Sequence, residues 1–78
     1  VQDCSAATQN FMLAARALNI GTVWCGLHPI EDRARPFREI FHMPDNIRPL
    51  SLIVLGHTDQ EFKAQERFRA ERVHNEDW

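Results

Sequence analysis

The sequence predicts a chain of mixed helix and strand that forms only part of a domain, in the order helix, strand, helix, strand, extended arm. Three observations predict it. Apolar residues recur at helical spacing near the start and again around residue 40. Two short runs, at about 22–25 and 50–55, are β-branched, aromatic or aliphatic, and each is closed by a glycine. The apolar faces so formed also exceed what 78 residues can cover by themselves.

Each element has a local reason. Asp3 and Ser5 are N-cap candidates ahead of Ala7, Phe11, Ala14, Ala15 and Leu18, which predicts a helix from about Cys4 to Leu18. Its alanines make it slim, and Met12 and Leu13 give it a second apolar face, the pattern of a buried helix. The stop falls at Asn19-Ile20-Gly21, because Asn and Gly accept the left-handed conformation that ends helices. Thr22 to Cys25 form the first strand, Gly26 ends it and Pro29 marks a loop. A second helix starts near Asp32 or Pro36, carries Phe37, Ile40 and Phe41 on one face, and is stopped by Pro44. Pro49 precedes the clearest strand, Leu50 to Leu55, whose near-continuous apolar run suits a strand covered on both faces. From Thr58 to Trp78 charges of both signs mix with Phe62, Phe68, Val73 and Trp78. That tail reads either as a solvated helix with salt bridges or as an arm whose aromatics dock elsewhere.

Composition excludes several classes. With 44% hydrophobic and 26% charged residues the chain is an ordinary soluble type, and a net charge of -2 gives no nucleic-acid surface. No apolar run approaches the ~20 residues of a membrane span, and no secretory signal is visible. The first residue is Val1, which reads as a trimmed or processed piece. Cys4 and Cys25 form no CxxC pair; two reduced thiols in the cytoplasm are the plain expectation, one disulfide the alternative. His28, His42, His57 and His74 lie at no helical metal spacing, so no metal is expected. No nucleophile and base stand together, so no catalytic side chain is assigned.

The order Asp3-Cys4-Ser5-Ala6-Ala7, a small-residue helix, then Gly21-Thr22-Val23-Trp24-Cys25-Gly26 resembles the C-terminal half of the nitroreductase family. Pro44 after the second helix, Gly56 after the strand, Arg67-Phe68 in the tail and a Trp near the end follow in the right order, so the resemblance covers essentially the whole chain. It implies an α+β fold of which residues 1–78 are the C-terminal part of a single domain, with 58–78 as a charged arm. It also implies a homodimer with FMN at the interface. The implied activity is that of a cytoplasmic flavoprotein oxidoreductase, passing hydride from NAD(P)H through FMN to a nitroaromatic, quinone or similar acceptor. The cofactor would carry the hard chemistry and the protein would position it.

The resemblance also implies the site. Cys25 and Gly26, flanked by Trp24 and Leu27, match the family's flavin-facing loop, where backbone N–H groups donate to the N5 and O4 side of the ring. By residue type alone Trp24 reads as strand core and Gly26 as a turn. Arg67 matches the basic residue that contacts the FMN phosphate, with Lys63 and Arg69 as neighbouring alternatives. Asn19 stands where glycine is common in the family, and Gln65 where some relatives have lysine. The family's other phosphate-binding residues would lie upstream of Val1, so the site is expected to be incomplete in this piece. Two further readings stay open: a non-enzymatic dimerising module, and a relative with different flavin chemistry such as dehalogenation.

Overall fold

In a computed structural model covering Val1–Trp78, helix α1 spans Gln2–Ala17. It starts two residues ahead of the expected Cys4, with Val1 at the cap position and no side-chain cap. Asp3 and Ser5 therefore lie inside the first turn; the carboxylate of Asp3 there favours the positive end of the helix dipole. The stop matches the sequence closely. Asn19 takes φ 59°, its N–H donates to the Arg16 carbonyl at 3.0 Å, and the Ile20 N–H reaches the Ala15 carbonyl at 2.9 Å. This is a Schellman closure with asparagine in the left-handed position. No glycine of the chain has a positive φ, so Gly21 begins the strand without taking the left-handed conformation.

Strand β1 is Gly21–Gly26 and helix α2 is Glu31–Ile40. The start falls at Glu31, next to the expected Asp32, while the alternative of Pro36 as a first-turn residue is corrected, since it sits inside the helix. There it lacks the N–H that would reach the Asp32 carbonyl, so α2 lacks one internal bond. The expected stop at Pro44 is also corrected. A second Schellman closure ends α2 at Ile40: His42 has φ 54°, and Met43 N–H donates to Arg38 O at 2.9 Å. Histidine is a poor occupant of that conformation compared with glycine. In the full-length protein His42→Gly is expected to raise unfolding stability by about 0.5–1 kcal/mol, read from the denaturant midpoint. A lowered midpoint would refute that assignment of the stop.

Strand β2, Ser51–Gly56, pairs antiparallel with β1 in the register Gly21↔Gly56 through Gly26↔Ser51. The sheet has these two strands alone, and α1 packs against β1. The fold is α+β. Cross-strand neighbours share a face, so Thr22, Trp24, Ile53 and Leu55 lie on one side, and Val23, Cys25, Leu52 and Val54 on the other. Within this chain the expectation that β2 is covered on both faces does not hold: Leu52, Val54 and Leu55 are exposed.

The tail resolves in favour of the arm. It is extended except for one 3₁₀ turn, Ala70–Arg72, and Arg69–Glu71 at 3.8 Å is its only ion pair. Two contacts tie its start to the body. The Arg16 guanidinium lies 4.2 Å over the Phe62 ring, a cation–π contact. Thr58 passes so near Gly21 that a Cβ there would meet its Cγ2 at 3.2 Å, which makes Gly21 a close-approach glycine.

The core is small. Ala15, Leu27, Ala34 and Pro49 are the buried residues. The radius of gyration is 16.9 Å, against about 11–12 Å for a compact domain of this length. Phe11, Leu13 and Leu18 of the alanine-rich helix stand exposed, so the face that the sequence marks for burial has no cover within these residues.

Candidate functional site

The end of β1 brings Trp24, Cys25, Gly26 and Leu27 together as one stretch. Which of their amides are available follows from the ladder. Leu27 N–H donates to the Leu50 carbonyl at 3.0 Å, and by the register Leu27 lies opposite Leu50. In an antiparallel pair, bonded and non-bonded positions alternate. Cys25 therefore faces Leu52 in a bonded position, while Gly26 and Trp24 turn their N–H and C=O groups to the outer edge of β1. The structure supports this phase independently, since Arg33 Nη1 donates to the Gly26 carbonyl from outside the sheet at 3.3 Å.

So the four residues are not equivalent. Leu27 is buried and its amide is used. Cys25 is half-buried, a free thiol with its amide turned into the sheet. Trp24 and Gly26 offer outward amides. A Cβ on Gly26 would meet nothing within 4 Å, and its φ is not left-handed. The chain's own fold therefore gives no reason for glycine at 26; the open space beside it is room for something else to approach the backbone.

The loop behind this edge is held firmly. His28 N–H shares the Leu50 carbonyl at 3.0 Å, and Ile30 N–H returns to the Leu27 carbonyl at 2.8 Å. Glu31, the first residue of α2, and Arg38, two turns along the helix, form an ion pair. The Arg38 hydrogen bond holds the Glu31 carboxyl below the usual carboxylate range, helped by the nearby charges of Arg38, Arg35 and Arg48. A depressed carboxylate pKa contributes stability that is full at neutral pH and is lost as pH falls through that range. Because Glu31 is exposed the contribution is small.

Arg67 is not brought to this edge. It lies in the arm with its Nη2 on Gln65 Oε1 at 3.1 Å, and no hydrogen bond or ion pair joins it to Trp24–Leu27. Lys63 and Arg69 lie in the same exposed arm. Sequence reasoning missed Arg33. Nothing local marks it, because its contact with Gly26 depends on the turn between β1 and α2. No cluster of three His, Cys, Asp or Glu side chains is placed to hold a metal, and no helix is long and apolar enough to cross a membrane.

Comparison with known proteins adds the following. Residues 1–57 match the model of the nitroreductase family. A protein of Archaeoglobus fulgidus assigned as an NADH dehydrogenase/NAD(P)H nitroreductase is 47% identical over all of this chain, which spans 47% of its length. A protein of the same assignment from Methanothermobacter thermautotrophicus is 42% identical, and the chain spans 41% of it. Among solved structures, one so assigned from Bacteroides thetaiotaomicron superposes with a TM-score of 0.90 at 35% identity, over 99% of this chain and 46% of that one. An assigned NADH oxidase from Clostridium acetobutylicum gives 0.89 at 40% identity, over 99% and 47%. The chain thus spans about half the length of the proteins it matches.

Proposed function

This chain belongs to the nitroreductase family, and from that premise we propose that it is part of an FMN-dependent oxidoreductase whose cofactor edge lies along Trp24–Leu27. The observation that carries the reading is Gly26: an outward amide beside open space, at a position where the fold itself makes no demand for glycine. A planar ring with acceptor atoms on its rim fits that edge, and the alternation of the ladder supplies a second donor at Trp24.

When bound, FMN would take hydride from NAD(P)H and pass it to a nitroaromatic, quinone or similar acceptor. The chain's residues bind and orient. The backbone amides of Gly26 and Trp24 would donate to such a ring from fixed positions, at low reorganisation cost. This shifts the donor role from Cys25, whose amide turns into the sheet, to Gly26. Cys25 then serves as a strand residue, and buried Leu27 anchors the loop through Leu50. Arg67 would hold the phosphate with its planar fork of donors. It can do so only if the arm places it on a site whose other residues come from the rest of the protein or from a second copy. A homodimer would allow this.

The test is a visible absorption spectrum of the full-length protein after mixing with excess FMN and desalting. A retained flavin spectrum is expected, and Arg67→Ala is expected to weaken FMN binding about tenfold, the size of one charged hydrogen bond. A colourless full-length protein would overturn the reading. Retention unchanged by Arg67→Ala would remove Arg67 from the site and leave the Gly26 edge standing.

A further inference from the structure

We propose that Arg33 is a positioning residue for this edge, holding the Gly26 peptide and setting a fixed cation beside the amide that faces the cofactor. The inference rests on the reading of Gly26 given above. Arg33 Nη1 donates to the Gly26 carbonyl at 3.3 Å. In an extended strand the N–H and C=O of one residue point to the same side. The guanidinium and the Gly26 amide therefore reach the same outer edge of β1. A ring that accepts from that amide has the guanidinium as its lateral neighbour.

The charge is not cancelled locally. The ion pairs of the chain are Arg38–Glu31 and Arg69–Glu71, and Arg33 is in neither. Of the carboxylates on α2, Glu31 is taken by Arg38, while Asp32 and Glu39 make no ion pair with Arg33. Backbone amides offer only partial charges, whereas Arg33 adds a full one, held in place by its bond to Gly26. Such a charge favours the reduced cofactor, which carries more negative charge, over the oxidised one. Arg33 thus acts on the affinity difference between the two states, and so on the potential, rather than on binding as a whole.

Redox titration of the full-length protein loaded with FMN separates this from a structural role. Arg33→Gln keeps a donor and removes the charge. It is expected to weaken binding of reduced FMN about tenfold relative to oxidised FMN, which lowers the two-electron midpoint potential by about 30 mV. Arg33→Lys is expected to recover most of that shift. In flavin-free protein, the carbonyl carbon-13 resonance of Gly26 is expected to move in Arg33→Ala, which removes the donor itself. An unchanged potential in Arg33→Gln overturns the proposal, as does an unmoved Gly26 resonance. A wild-type protein that binds no FMN overturns the site reading and this proposal with it. That result is distinct from FMN binding with an unmoved potential, which defeats Arg33 alone.

Discussion

The isolated 78-residue chain is expected to sediment and scatter as a dimer or larger species at micromolar concentration, not as a compact monomer. The chain exposes 7173 Å². A compact monomer of 9.1 kDa exposes about 4,900 Å². The excess, about 2,300 Å², is more than twice the ~800 Å² that each partner buries in a standard interface. Much of it is apolar: Leu18 is 71% exposed, and Phe11, Leu13, Val23, Val54 and Leu55 each about half or more. Both sheet edges are open as well. β1 presents the unpaired groups of Thr22 and Trp24 and the amide of Gly26, and β2 the groups of Ser51, Ile53 and Leu55. An open apolar edge is a template for another strand. A sharp, soluble monomer by light scattering with a small radius of gyration would show that the chain folds back to cover itself, and would refute the extended arrangement.

Gly26→Val is expected to leave the fold intact and abolish the proposed cofactor site. The two halves of that expectation have separate physical causes. A side chain at 26 meets nothing within 4 Å and the backbone is not left-handed, so no strain arises within the chain. Valine is also a better strand residue than glycine, so stability is expected to hold or rise by up to about 1 kcal/mol. The same branched side chain would fill the space through which a ring approaches the backbone. FMN affinity is expected to fall at least 100-fold, roughly 3 kcal/mol or more. Thermal melting of the flavin-free full-length protein and equilibrium FMN titration measure the two halves. A variant that melts early would mean that the space beside Gly26 is occupied by protein. One that still binds FMN tightly would move the cofactor away from this edge.

How much of this was legible in the sequence depends on range. Asn19 stops α1 because of its own tolerance of positive φ, and that was readable from one residue and its neighbours. The strands at 22–25 and 50–55 were readable for the same reason, within a residue at each end. The start of α1 was not. Asp3 and Ser5 are cap-forming residues, yet the helix extends past them to Gln2 without any side-chain cap. Pro36 misled in the opposite direction, since a residue suited to a first turn is held in the helix interior.

What the sequence by itself determined was the order of elements, the family, and the surplus of apolar surface over core. These depend on residue types and short spacings, which are complete in the string of letters. Only the tertiary structure decided which backbone groups at the site are free. Cys25 and Gly26 are neighbours and look alike as donors on paper. Their difference arises when β2 pairs with β1 across more than twenty intervening residues, because the phase of an antiparallel ladder turns alternate amides inward and outward. The same pairing sets the turn that brings Arg33 to the Gly26 carbonyl, while Arg67 stays in the arm away from that edge.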